Sequence, residues 1–486
     1  MANPFLSFLT WAIDGLNAAV FSRIPFFGAE IPWIVLWLAL PMLIFTVYFG
    51  FLNLRVLPLS LRILRGDYDE PNAPGQISQF SALTTALSGT IGLGNIAGVA
   101  IAIATGGPGA AFWMFVIGFF AMTLKCVEVT MGLKYREVDS DGTVRGGPMY
   151  NLKNGFALKG LPRLGFALGA FYAVMAFIGA IPLVQVNQSL ATLSEVTGFQ
   201  AFSASGEPKS FAFLYGLTMA FFVGLVVIGG VTWLGRVTAI LVPIMAGVYI
   251  LGVLTIIVVN LADLPAAISL IISDAFSGDA VAGGMIGAFI VGMQRAVYSS
   301  EAGVGSAVIA HAQARTNEPA SEGLVALLEP FLDTVVVCSL GAVAIVLAGT
   351  WAGEHQDIRI TAEAFGQISY WFPWLLTAAV ILFGYSTLCA WGFYGLQAFQ
   401  YLFGRGRRRE LTFKLIYIFI LPLGALLSID AVINLVDSAF FLMALPNVLI
   451  LYLFAPELRR DIWGFIDRTR AENRVEESKD AATQTG

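Results

Sequence analysis

Charge is scarce in this chain. Only 12% of its 486 residues are Asp, Glu, Lys or Arg, against about 25% in a soluble domain, so it lacks the polar surface to cover several soluble domains. Cysteine is scarce too: Cys126, Cys338 and Cys389 show no Cys-x-x-Cys spacing and offer neither a disulfide framework nor a zinc site. The two histidines, His311 and His355, stand alone near the ends of apolar runs, where solvated roles are expected. No phosphate loop, His-Glu-x-x-His pair or nucleophile–base pattern marks an enzyme, and no basic stripe marks a nucleic-acid partner.

What fills the chain is apolar sequence. It is 57% hydrophobic with a mean hydropathy of +0.79. Residues 31–52, 79–104 and 165–193 carry no charge at all, and about 20 apolar residues suffice to cross a hydrocarbon core. The expected class is an all-α polytopic membrane protein whose solvent is the lipid bilayer. Eleven spans are predicted, near 31–52, 79–104, 110–133, 165–193, 211–231, 237–260, 281–310, 323–349, 371–403, 411–428 and 434–455. Within residues 1–30, the mixed stretch 4–22 has no basic lead, which predicts an interfacial helix rather than a cleaved signal. The charged tail from about 465, part of segment 456–486, is expected to be disordered.

The basic residues test that count. Of the 27 lysines and arginines, only Arg23, Lys209 and Arg359 fall in loops on one side, while Lys125 and Arg295 fall within spans. All the others, among them Arg405, Arg407, Arg408 and Arg409, fall on the opposite side. Basic loops stay in the cytoplasm, so the N-terminus is expected outside and the C-terminus inside.

Eleven spans divide into one leading helix (31–52) and two sets of five (79–260 and 281–455). The first helix of each set carries a similar interruption. Gly92-Leu93-Gly94-Asn95 is followed by IAGVAIA, and Gly303-Val304-Gly305-Ser306 is followed by AVIA. Loop charges make the two helices run in opposite directions, the mark of an inverted repeat, and paired Gly-interrupted helices point to a transporter's binding site. Gly-x-Gly patterns also serve close helix packing, but two at matching places, one beside a glutamate, favour a site. Unwound backbone at membrane depth requires protein or a water-filled cavity to satisfy its polar groups. Freed N–H groups suit a carboxylate and freed carbonyls suit a small hard cation, so an amino acid carried with sodium would use both.

Several long motifs carry a resemblance: GTIGLGNIAGVAIAIATGGPGAAFWM (89–114), RGGPMY (145–150), YSSEAGVGSAVIAHA (298–312), FLDTVVVCS (331–339), STLCAWGFYG (386–395) and MALPN (443–447). They resemble the alanine or glycine:cation symporter family, over most of the chain and in order. The resemblance implies a leucine-transporter type of fold with broken first and sixth core helices. It further implies uptake of a small neutral amino acid with Na+, occasionally protons, across a bacterial or archaeal plasma membrane, and no organic cofactor. Departures are Ile181-Pro182 in the third core helix, where the family has Gly-Asn, Leu93 for a frequent threonine, and Ser300 for a frequent asparagine.

Thr90, Gly92, Gly94 and Asn95 are expected to form the first broken segment, with backbone N–H groups for the substrate carboxylate and Asn95 holding the turn. By resemblance, the amide oxygen of Gln185 receives the ammonium. Thr387 and Trp391 lie four apart and share a helix face, with Trp391 walling the side-chain pocket and Thr387 hydrogen-bonding the substrate. Ser386 and Thr387 also sit where this fold type supplies hydroxyls to sodium, facing carbonyls from Thr90 to Gly94. Lys125 and Glu128, three apart, can pair along their own helix as a structural or gating bridge. Glu301 and Arg295, six apart, cannot pair on a continuous helix; Glu301 either holds the broken helix or tunes cation binding. Asp333 and Asp437 have no sequence-local partner.

Overall fold

The computed structural model describes residues 4–70, 72–198, 210–277, 284–353, 355, 357–427 and 430–484. Lys209, the start of the seventh expected span at 281–283, residue 428 at the end of the tenth, and the termini 1–3 and 485–486 lie outside the described residues.

The chain is mostly helical, with two short antiparallel hairpins, Arg23–Phe26 with Ala29–Pro32 and Glu137–Val138 with Val144–Arg145. Six described helices are long and apolar enough to cross a membrane, seven if Gln79–Thr90 and Gly94–Gly106, bent by 45°, form one span. The other expected spans lie in elements that are shorter, broken or merged. Trp33–Tyr48 has 16 residues, Gly284–Ser300 has 17, and Arg407–Leu426 opens on three arginines. The two spans expected at 211–231 and 237–260 share one 50-residue stretch, Ser210–Val259, broken at Gly230 with φ 73° and ψ −171°. A straight helix of that length would measure about 75 Å, more than twice a ~30 Å core, so the break is required. Helix Asp430–Gln484 runs on through the expected tail. The disorder expected from 465 is therefore corrected: Phe465, Ile466 and Thr469 are buried against the rest of the chain.

Helix Gly109–Lys134 sits at the centre. Its Gly132 leaves no room for a side chain beside Val308, and Gly323 of helix Pro319–Ala326 approaches Thr130 just as closely. These small residues let backbones meet in a solvent that gives no hydrophobic drive for association. The segment Phe331–Cys338 is a π-helix, a widening often found at functional sites, and it turns Asp333 and Thr334 toward the two interrupted helices.

Both interruptions exist. Helix Gln79–Thr90, capped by the Ser78 hydroxyl accepting the Ser81 N–H at 3.1 Å, ends before Ile91 and Gly92, and the chain resumes helix at Leu93. Helix Gly284–Ser300 ends at Glu301, which takes φ +49°; Gly303 and Gly305 follow at +90° and +86° before a short helix, Val308–His311. The chain leading into the first broken helix meets the chain that follows the second break. Gln76 N–H donates to Gln313 O at 2.8 Å and Arg315 N–H to Ile77 O at 2.9 Å, forming a parallel bridge. The Arg136 guanidinium binds it by donating to the carbonyls of Pro74, Ala312, Ala314 and Thr316 at 2.6–2.9 Å.

Candidate functional site

A cavity of about 430 Å³ lies where the two interruptions converge. Thr90, Gly92, Gly94, Asn95, Gln185, Thr387 and Trp391 all line it, as do Glu301 and Arg295. Residues from helices far apart in sequence thus share one wall. Gly94 is exposed to this space, and a Cβ there would touch nothing within 4 Å. Packing does not explain that glycine, whereas close approach of a ligand to bare backbone does. A Cβ on Gly92 would lie 3.2 Å from the Thr387 hydroxyl, so Thr387 faces the first break directly.

Two polar side-chain atoms in this wall have no hydrogen-bond partner among the described residues. Gln185 Oε1 and Thr387 Oγ1 are buried without a hydrogen bond, a state native proteins seldom leave unexplained. Trp391 closes the space with a ring 8% exposed, edge-on to Tyr394 at 5.4 Å between centroids and tilted against Phe440 at 6.0 Å.

Asn95 is the hinge of the first break. Its Oδ1 accepts the Gly92 N–H at 2.9 Å, supplying the cap that glycine cannot. Its Nδ2 donates to Ser299 Oγ at 3.1 Å and to Asp333. Ser299 in turn bonds Thr334 at 2.9 Å. Asp333, which had no partner nearby in sequence, finds one on each broken helix.

At the second break, protein groups from other helices satisfy three of the freed backbone groups. Gly303 N–H donates to Glu128 Oε2 at 2.7 Å, Asn447 Nδ2 to Gly303 O at 2.9 Å, and the Tyr172 hydroxyl to Val304 O at 3.2 Å. Glu301 accepts the Ser306 hydroxyl at 2.5 Å rather than meeting Arg295. Arg295 lies over the Tyr298 ring at 5.9 Å and shares the cavity wall with Asp437.

Ser386 is one expected site residue that the cavity does not include. Its hydroxyl donates to Phe383 O at 3.0 Å on its own helix, and Ser88 Oγ donates to the Ser386 carbonyl at 2.7 Å. Lys125 and Glu128 lie behind the cavity, 3.6 Å apart and fully buried. The solvated role expected for His311 is corrected: it is 0% exposed, enclosed with two glutamates. His355 is half-buried beside Glu363 at 3.0 Å.

Sequence reasoning missed Glu322 and Glu329. Glu329 lies 3.4 Å from Lys125 and 3.4 Å from His311 Nε2, and Glu322 lies 2.6 Å from His311 Nδ1. The signal was available: the two glutamates sit seven apart, on one helix face, inside or at the edge of an apolar run. Asn447 closes the MALPN motif without a role assigned to it, and Tyr172 gave no sign.

Comparison with known proteins fits this arrangement. A family model described as the sodium:alanine symporter family matches residues 18–479. The sodium/alanine symporter AgcS of Methanococcus maripaludis is 36% identical, over 84% of this chain and 89% of that one. A putative sodium/proton-dependent alanine carrier protein, YrbD of Bacillus subtilis, is 33% identical over 85% of each. A crystal structure of MhsT in complex with L-phenylalanine superposes with a TM-score of 0.53 at 15% identity, over 78% of this chain and 89% of that one. That likeness concerns the fold alone. The relatives are named as symporters and carriers, not as enzymes.

Proposed function

The chain belongs to the sodium:alanine symporter family, and we propose that it imports a small neutral amino acid, alanine or glycine, together with Na+ by alternating access. The reading rests on one observation above others: Gln185 Oε1 and Thr387 Oγ1, both unpartnered, line the same cavity as the first helix break. A zwitterion supplies what they and the bare backbone need. Its ammonium donates to Gln185, its carboxylate accepts freed N–H groups after Gly92, whose own N–H Asn95 holds, and Trp391 limits its side chain. The cation takes the Thr387 hydroxyl and carbonyls between Thr90 and Gly94, with Ser386 one residue behind. Hydroxyl and carbonyl oxygens suit such an ion.

We read the architecture as eleven spans: the leading helix 31–52, the five-helix set 79–260 and its inverted copy 281–455, followed by the segment 456–486. From loop charge we read the N-terminus as outside and the C-terminus as inside, and from the family the membrane as a bacterial or archaeal plasma membrane. On that orientation the cavity reaches Asp357 and Ile358 on the outer side, while the Arg136-bound bridge closes the inner side. Inward opening breaks that bridge.

One cation entering with a zwitterion moves one net charge, worth about 2.3 kcal/mol at 100 mV. A tenfold sodium gradient adds about 1.4 kcal/mol, for roughly 500-fold accumulation. The name of the Bacillus subtilis carrier keeps proton coupling as the second reading. Uptake of radiolabelled alanine and glycine into proteoliposomes, under separately imposed sodium, proton and voltage gradients, decides between them. Uptake unchanged when choline replaces sodium rejects the first reading.

A further inference from the structure

The unabsorbed feature of this molecule is His311, held in the dry interior between two glutamates that the transport site does not use. We propose that Glu322, His311 and Glu329 form a proton-binding site that empties when the inner side opens, so that acid on that side slows transport. The inference rests on the orientation given above and adds a ligand that the sodium reading does not require.

Hydrogen counting carries it. A neutral imidazole has one N–H. If His311 Nδ1 donates to Glu322 Oε1 at 2.6 Å, the lone pair of Nε2 is left facing Glu329 Oε2 at 3.4 Å. Among the described residues no other donor serves that ring nitrogen or Glu329 Oε2, and Glu329 Oε1 has only the Lys125 ammonium at 3.4 Å. A carboxylate cannot donate, so two lone pairs would oppose each other in a medium that screens little. One added proton removes the conflict. It resides either on Nε2, giving an imidazolium that donates to both carboxylates, or on Glu329, whose O–H then donates to Nε2. Both arrangements hold one proton more than a neutral ring with two carboxylates, and passing between them makes one N–H or O–H bond and breaks the other.

The surroundings require positive charge. On helix Gly109–Lys134, Lys125 lies 3.4 Å from Glu329 Oε1 and 3.6 Å from Glu128 Oε1, so one ammonium already serves two carboxylates. Arg136 acts on Glu322 from beyond that helix, with Gln79 of the first broken helix beside it, but its guanidinium is committed to four carbonyls. Asp333 and Glu301 bring two further carboxyl groups near Glu329, and helix Pro373–Phe403 contributes only the neutral Tyr394. Buried charge in a membrane needs a partner or water.

Position ties the site to opening. His311 directly precedes Ala312, whose carbonyl Arg136 holds, and lies two residues before Gln313, which accepts the N–H groups of Gln76 and Ile77. Parting this bridge lets water reach the ring. The proton then passes from Nε2 to water, and the glutamates become hydrated. Since the closed form holds the proton, acid favours closure and alkali favours opening.

The test is sodium-driven alanine uptake into proteoliposomes at fixed external pH and clamped voltage, with internal pH set between 6 and 8.5. One linked proton allows the initial rate to rise by up to about tenfold per unit of internal pH. H311Q should flatten the profile. E329Q, whose amide can donate to Nε2 in place of the proton, should flatten it at the slow, acid-like level. A wild-type rate indifferent to internal pH, or H311Q retaining the slope, overturns the proposal; absence of sodium-driven uptake at every pH overturns the transport reading instead. Should the variants fail to fold, nitrogen NMR of histidine-labelled H355N, which leaves a single imidazole, decides at pH 8. A doubly protonated ring, or one whose second nitrogen accepts a hydrogen bond, supports the site; a nitrogen free of any proton overturns it.

Discussion

Asn95 of the first broken helix donates a 3.1 Å hydrogen bond to Ser299 of the second, so the two interruptions are joined by one side chain. The same amide caps the first break at Gly92 and donates to Asp333 on the π-helical segment. Three elements therefore register against each other through the two polar atoms of one asparagine amide.

Asn95→Ala leaves the Gly92 N–H and the Asp333 carboxylate without this partner. Hydrogen bonds to charged groups contribute about 1.5–3 kcal/mol, so thermal stability should fall by that order and saturable uptake should vanish while membrane insertion persists. Asn95→Ala transporting normally would place the site elsewhere.

Thr387 and Ser386 are neighbours with opposite surroundings, and their substitution separates the cavity from the helix behind it. Thr387→Ala should raise the half-saturating alanine or sodium concentration about tenfold or more, as loss of a hydrogen bond to a charged ligand implies. Ser386→Ala removes a bond to Phe383 O on its own helix and should change either value less than threefold. Equal effects from both would show that Ser386 reaches the ion.

Lys125→Met strands Glu128 and Glu329 in the interior. Breaking a buried pair by removing one partner costs about 3–5 kcal/mol, so the melting temperature should drop sharply. Adding Glu329→Gln to it should cost less than the sum of the single changes. Strict additivity in the double-mutant cycle would mean that the 3.4 Å contact carries no coupling.

Gly303→Ala tests the second break. At φ +90° a Cβ would lie 2.7 Å from Leu38, and strained backbone alone costs about 1–3 kcal/mol. The variant should lose thermal stability and transport together. A fully active, equally stable alanine variant would show that the glycine's conformation is dispensable.

Both interruptions were legible because glycine pairs in apolar runs are rare enough to stand out, and the resemblance named the cavity's Gln185, Thr387 and Trp391. The Lys125–Glu128 pair was legible from its spacing alone. His311 was not: a lone histidine at the end of a run looks the same whether it meets water or two glutamates. Nor was the tail, whose charge concealed a face carrying Phe465, Ile466 and Thr469 that buries itself.

Composition by itself determined the solvent, and with it the demand that the backbone satisfy its own polar groups wherever it leaves the helix. What met that demand was settled only in three dimensions. Glu128, Asn447 and Tyr172 reach the second break from distant helices, because an unwound turn in lipid takes its partners from whatever the fold carries past it, and sequence order holds no record of that.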